Sequence, residues 1–309
     1  ELQFNLNKEI FNKTEEVNNA LKDIMDLNKK IKLQEGYGKH ISANDFRDSR
    51  NALIDRLSEL VPISHYENRY GEEVISLFGR DLINGDYFNP IDININEKGH
   101  GQIHWSDTGK PMDLQGLGEL GGYIDARDKV VIEYRDRLNI LVGETAKIIN
   151  GLHRHGKGLD NSIEENFFII TNDKDSAASI IVNPKLEDFN KIAASLSNAK
   201  GDGEIAKAIL NLREKLLYKD YDEYTFEEGY IYEEVDTSSL DDPSQIFEFM
   251  NNYIDNNKGT INSDSFYRDL VLNLGLEREE ARGIAANQTM LIKQIDERRA
   301  EISSVSLDE

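Results

Sequence analysis

The chain has 309 residues, 30% charged and 39% hydrophobic, the balance of an ordinary globular protein with length for about two domains. Its 36 basic and 58 acidic residues leave a formal charge of -22, whose field opposes phosphate backbones and anionic lipid surfaces, so neither nucleic acid nor a membrane is expected as a partner. With no cysteine there are no disulfides, thiolate nucleophiles or cysteine metal sites, and the compartment stays open. No apolar run approaches the ~20 residues that span a bilayer, and no Sec-type leader stands at the front. Without a starting methionine, and with helical pattern at both ends, the chain reads as a fragment trimmed at both termini.

Ile10, Val17, Ile24 and Ile31 recur at heptad spacing with Ala20 and Leu27 as companions, which predicts one long helix over 5–33, ending before Gly36 and Gly38. A second helix is expected after Asn44 or Asp45 as cap, with Phe46, Leu53, Leu57 and Leu60 on one face and Pro62 as its stop, completing a helical hairpin. From Ile63 to Leu114 short alternating runs such as 74–78 and 91–95, separated by Gly71, Gly79, Asn84-Gly85, Lys98-Gly99 and Thr108-Gly109, predict strands. A seam helix then follows over roughly 123–155. Its apolar positions Val131, Tyr134, Leu138, Leu141, Ile148 and Leu152, with Thr145 in the one polar slot, alternate spacings of three and four, and Gly156 and Gly158 are expected to stop it as left-handed residues.

Residues 160–258 read as mixed: strands near 167–170 and 178–182, helices at 185–197 and 203–218. Tyr218, Tyr221, Tyr224, Tyr230 and Tyr232 lie among acidic residues and read as a solvated loop or edge hairpin, with a contact surface as the sharper alternative. Asp242-Pro243 is a cap and first-turn proline opening a short helix through Phe247, Met250 and Ile254. Phe266, Leu270 and Leu274 precede Gly275, and Ala281, Ile284, Leu291, Ile295 and Ile302 carry a heptad-like stripe to the end. The fold class is therefore mainly α with β insertions. The domains expected are a discontinuous long-helix bundle of 1–62, 119–157 and 260–309, a strand-rich insertion at 63–118 and a mixed α/β outer insertion at 158–259.

No motif carries chemistry. His153 and His155 are two apart at a helix end and point in different directions; His100 and His104 stand beside Gly99 and Gly101, which favour a turn. Asp173-Lys174-Asp175 starts like a calcium loop but has Ala178 where a glycine must bend the chain. There is no phosphate loop, nucleophile elbow or H-E-x-x-H, and Trp105 reads as packing under a hairpin. No catalytic, cofactor-binding or metal residue and no cofactor is expected.

Specific strings go further than periodicity. Residues 44–53 and 57–61 resemble the N-D-L-L-D-x-R-D…L-S-x-L-V run of flagellar hook-associated proteins of the FlgK type. Gly121-Gly122-Tyr123-Ile124, Arg127-Asp128, Tyr134 and Leu138 are similar to its G-G-x-L…R-D…Y-x-x-x-L stretch, and Asn150, His153 and Gly156 to its N-x-x-H-x-x-G ending. Ile192-Ala193-Ala194-Ser195, then Gly201-Asp202-Gly203 with Ala206 and Ala208, resemble I-A-A-S and G-D-N-x-x-A-x-A; residues 303–309 resemble S-G-V-S-L-D-E. The departures are Phe46, Arg47, Asn51, Gly203 and Ser304, together with the tyrosine-rich acidic tract.

The resemblance implies a non-enzymatic, secreted axial component of the bacterial flagellum, exported by the flagellar type III route. It would pack into a ring at the hook-filament junction, with itself, the hook protein and the next junction protein as partners and an export chaperone acting through a missing C-terminal segment. The alternative is a flagellin-like or other extracellular filament protein whose inserted outer region binds or hydrolyses something. On the resemblance, His153 serves the helix end near Gly156.

Overall fold

In a computed structural model the protein is described for residues 1–36, 43–197, 199–220, 223–224, 229–237, 240 and 242–303. Gly38, Tyr221 and the closing string from Ser304 onward lie outside the described residues. The chain divides into two compact units, Glu1–Glu133 and Tyr134–Glu309. It is mainly helical, with small antiparallel sheets.

In the first unit, α1 (Leu2–Gly36) and α2 (Asn44–Leu60) form the expected hairpin. They run antiparallel, since Arg47 near the start of α2 reaches Glu35 at the end of α1 and Arg56 near its end reaches Glu16. The expected cap is displaced. Ala43 takes the N-cap position without a side-chain bond, and its N–H is accepted instead by the Glu35 carboxylate at 3.3 Å.

Strands β1 (Ile63–Glu67), β2 (Glu73–Leu77), β3 (Arg80–Asn84) and β4 (Tyr87–Phe88) make one antiparallel meander, and β5 (Ile91–Ile95) pairs with β6 (Gly101–Trp105). The tight turns fall on the dipeptide signals: β2 hands over to β3 through Phe78 and Gly79, both at positive φ as a two-residue hairpin loop requires. Ile10, Val17, Leu21 and Ile24 of α1 share a core with Ile54, Leu57 and Leu60 of α2, Ile75 and Leu77 of β2, and Trp105. The short helix α3 (Gly118–Asp125) closes it with Leu120.

After α3 the helix passes through one π turn, Ala126–Val130, and continues as α4 (Val131–His155); the division between the units falls at its third residue. The expected heptad seam is only partly the buried face. Leu138 is exposed and Tyr134 and Leu141 are half-buried, whereas Asp136, Arg137, Asn139, Gly143, Asn150 and His153 are buried along with Ile148 and Leu152. The reason is that the irregular segments folded over α4 carry backbone groups that need hydrogen-bond partners, so they settle on its polar side as well as its apolar side.

The second unit adds β7 (Phe168–Ile170), α5 (Ser176–Ser179), β8 (Ile180–Val182), α6 (Glu204–Asn211), α7 (Ile246–Asn256) and α8 (Ser263–Ser303), with β7 and β8 antiparallel. The helix expected at 185–197 is two 3-10 turns, Pro184–Glu187 and Phe189–Lys191, because Asn183 and Asp188 each cap a new start and the chain then extends. The helix expected to reach 218 ends earlier: Tyr218 exchanges backbone bonds with Ile261, which pulls the chain out of helical geometry.

The tyrosine tract is not a solvated loop where it is described. Tyr218 is fully buried, its ring 4.7 Å from that of Phe266, and Tyr232 is also buried. Helix α8 runs through Gly275 without a break. Phe266 and Leu270 join the core with Ile148, Ile246 and Met250, but every residue from Leu274 to Arg298 is exposed.

Candidate functional site on the long helices

Asparagines on α1 and α4 tie neighbouring backbone segments to the helices. A carboxamide carries one acceptor and one donor side by side, so it can pair with the N–H and C=O of a single residue as a neighbouring strand would. Asn18 does this to Ile91 at 3.0 and 2.8 Å, and Asn28 to Glu73 at 3.0 and 2.9 Å. On α4, Asn150 does it to Phe168 at 2.8 and 2.9 Å, while Asn139 spans the α5 entry, accepting from Ala177 N–H and donating to Lys174 C=O.

Arginine supports the Asn28 contact and a further one made by Asn7. Arg50, 1% exposed, donates to Asn28 Oδ1 and Gly71 C=O and pairs with Glu67. Arg127, placed by the π turn, grips both oxygens of Asp128 and donates to Asn7 Oδ1 and Gly101 C=O; the same Asn7 oxygen accepts from Gly101 N–H. A buried guanidinium is tolerable only when most of its donors are paired; both terminal nitrogens of Arg50 are paired, while its Nε is buried without a partner. The R-D landmark is therefore the bracket that fixes α1 to β6.

Three landmarks far apart in sequence meet at the end of α4. His153 Nδ1–H donates to Glu165 C=O at 2.6 Å and Nε2 accepts from Ala193 N–H at 2.9 Å, while the imidazole and the Phe167 ring pack in a T-shaped arrangement. Both ring nitrogens are used, which fixes the neutral tautomer, and burial holds the pKa below its ordinary value against the opposing pull of Glu165. The Ala193 N–H belongs to the I-A-A-S string, whose Ser195 C=O also accepts from Lys157 N–H. Asp202 of the G-D-G string accepts from Leu196 and Ser197 N–H and, through its other oxygen, from Glu204 N–H at the start of α6, which holds its pKa at about 2.

Gly156 does not adopt the expected left-handed conformation. It is small because a Cβ there would lie 2.8 Å from the Ala193 Cβ. Thus Asn150, His153 and Gly156, at i, i+3 and i+6, hold the chain that follows α4 at Phe168, Glu165 and Ala193. The reading of His153 as an element of the helix end caught its place and missed the two strands of chain it joins.

The other sequence candidates go elsewhere. His155 faces Gly151 C=O; His100 stands 3.5 Å from Asp128 and His104 contacts Gln102 C=O. The 173–175 loop spends its carbonyls on Tyr232 N–H and Asn139 rather than on a cation. Trp105 is buried with the Arg80 guanidinium over its ring. Among the described residues no group of three or more His, Asp or Glu side chains is arranged to hold a metal ion, and no helix is long and apolar enough to cross a membrane.

Two surfaces stand apart from these contacts. Helix α8 exposes the apolar side chains of Leu274, Ile284, Leu291 and Ile295. In the second unit a cavity of about 550 Å³ opens between α4, α7 and the tyrosine tract.

The family profile "Flagellar hook-associated protein FlgK helical domain" matches residues 1–168. Flagellar hook-associated protein 1 of Bacillus subtilis is 26% identical over 344 residues, covering the whole of this chain and 60% of its own length; that of Salmonella typhimurium is 23% identical over 194 residues, covering 58% and 35%. The chain thus spans about 60% of the length of the Bacillus relative. The flagellar hook junction protein FlgK of Burkholderia pseudomallei overlays with a TM-score of 0.48 at 16% identity, covering 55% of this chain and 32% of that one.

Proposed function

The chain belongs to the family of the flagellar hook-associated protein FlgK, and from that premise we propose that it is a structural, non-enzymatic axial component of the bacterial flagellum, outside the cell, built into the hook-filament junction by packing of like subunits. The observation that carries this reading is the family match over residues 1–168, more than half the chain. Its physical support is the convergence of the N-x-x-H-x-x-G, I-A-A-S and G-D-G strings on one set of backbone bonds, so that they serve rigidity rather than catalysis.

The proposed partners are other copies of the chain in a ring, the hook protein on one side and the next junction protein on the other. An export chaperone would engage a part of the protein outside this chain.

In the assembled protein, 1–62, 119–157 and 260–309 are proposed to form one discontinuous helical bundle, carrying 63–118 and 158–259 as insertions. What supports this is the exposed ridge of α8, because a helix with Leu291 and Ile295 each more than half exposed has an unfilled face. The test is complementation in cells lacking the native gene. The full-length protein restores filaments on this reading; Leu291→Asp with Ile295→Asp, which leaves an isolated helix intact, abolishes filament attachment while the protein stays soluble and helical by circular dichroism. Failure of the unaltered protein removes the junction assignment; normal filaments with the double variant remove the bundle and leave the assignment.

A further inference from the structure

The hairpin of β5 and β6 leaves one side of β5 open. Met112 N–H donates to Ile103 C=O and Trp105 N–H donates to Lys110 C=O, so Ile103 and Trp105 turn their backbone groups away from β5. Gly101 does the same toward Asn7 and Arg127. In an antiparallel ladder the residues opposite such positions also turn outward, and here these are Ile93, Ile91 and Ile95. Asn18 takes the outward N–H and C=O of Ile91, as this alternation requires. Among the described residues the same groups of Ile93 and Ile95 meet no hydrogen-bond partner, and no strand lies beyond β5.

Helix α1 covers this edge at one end only. The Ile93 side chain is half-buried and closes over Gly101 together with Phe11, whereas Ile95 is 69% exposed. Between helix and strand runs a groove of about 530 Å³, bordered by Phe11, Glu15 and Asn18 on α1 and by Asp92, Ile93 and Asn94 on β5. No lysine or arginine lines it, and the exposed Glu15 and Asp92 carboxylates make no ion pair among the described residues. An open edge takes up a further strand, and a groove of this charge favours a basic one. A second copy of the chain, with its charge of -22, is disfavoured. We propose that the free edge of β5 is a docking site for an extended basic peptide segment of another protein, added antiparallel beside β5. Its residues opposite Ile93 and Ile95 exchange backbone N–H and C=O bonds with them and set apolar side chains on the isoleucine face, while a lysine or arginine falls opposite Asp92. The added strand stops at Asn18, which already fills the next place on the edge. The site goes beyond the junction role and does not depend on it.

The experiment is an amide-resolved NMR titration of the chain with the peptide acetyl-Lys-Val-Thr-Val-Lys-amide, whose valines fall opposite Ile95 and Ile93. The controls are acetyl-Glu-Val-Thr-Val-Glu-amide and the basic peptide N-methylated at both valines, which keeps its charge and loses the N–H groups that the edge needs. The expected result is saturable binding of the basic peptide with a Kd of about 1 mM or tighter, slower hydrogen exchange at the Ile93 and Ile95 amides, and at least about tenfold weaker binding of both controls. Glu15→Lys with Asp92→Lys, at two exposed positions, reverses the preference in favour of the acidic peptide while the circular dichroism spectrum is unchanged. No saturable binding by ~20 mM basic peptide, equal binding of the N-methylated peptide, or an unchanged preference in the folded double variant overturns the proposal. Protection of Ile93 and Ile95 that rises with the concentration of the free chain also overturns it, by giving the edge to a second copy. Should the double variant not fold, the N-methylated peptide decides the question on the unaltered chain.

Discussion

His153 makes two bonds that a protonated ring cannot both keep, because imidazolium would point a second N–H at the Ala193 N–H. The unfolded chain takes up this proton near pH 6.5, and the folded chain, with the ring buried, only at lower pH. The stabilisation is whole above about pH 6.5 and fades as pH falls through the folded value. Asp136 is shifted the other way: burial raises its carboxyl despite Arg135, so its contribution is present at acid pH and is lost as pH rises through the folded value. Nitrogen-15 spectra should show His153 as the neutral Nδ1–H form at pH 7 with an apparent pKa below 6.5, and an ordinary free-histidine titration would refute the two-sided contact. Asn150→Ala leaves the Phe168 N–H and C=O unpaired in a half-buried setting, which costs about 1–3 kcal/mol in urea unfolding; the Phe168 amide should lose its protection from hydrogen exchange first.

Among the elements, α4 shows what sequence pattern does and does not carry. The long helices α1 and α4 were legible because heptad spacing survives any partner, and the strands were legible because turn glycines such as Gly79 and Gly85 punctuate alternation. The contacts on α4 were not legible: in a list of apolar positions Asn139, Asn150 and Asp136 read as wet. Only the string shared with the family marked Asn150 and His153, and it gave their positions without their partners. The irregular stretch at 185–197 and the placement of the tyrosine tract depend on bonds to residues far away in sequence, which local propensity does not encode. Two substitutions separate the seam reading from the observed packing. Ile148→Asp enters the core and should cost several kcal/mol, roughly 3–5, whereas Leu141→Asp at a half-buried position should cost less; equal losses would restore the heptad seam as the buried face. Gly121→Ala sets helix propensity against packing. Alanine gains ~1 kcal/mol in a helix, but its Cβ would overlap the Leu114 carbonyl, which is backbone and cannot swing aside. A net loss of about 1–3 kcal/mol is expected, and a stabilised variant would show that α3 has room.

For the whole molecule, self-repulsion and an exposed ridge compete. A charge of -22 opposes association at low salt, while the apolar residues of α8 favour it once the charge is screened. Screening lengths fall from about 30 Å at 0.01 M to about 10 Å at 0.1 M salt. The chain should therefore be monomeric in dilute low-salt solution and associate as salt and concentration rise, followed by light scattering. Association insensitive to salt, or unaffected by Leu291→Asp with Ile295→Asp, would place the contact elsewhere.

The asparagine pairs have a consequence for how such a chain can drift through mutation. Each reads the peptide group of its partner and is blind to the side chain, so the contact at Phe168, Glu73 or Ile91 sets one prohibition, proline, which has no N–H to offer. The two sides of each contact thus evolve under unequal rules. The helix must keep a carboxamide, while the segment that rests on it can change its lettering as far as its own packing allows, and a new outer face can be written onto an unchanged scaffold.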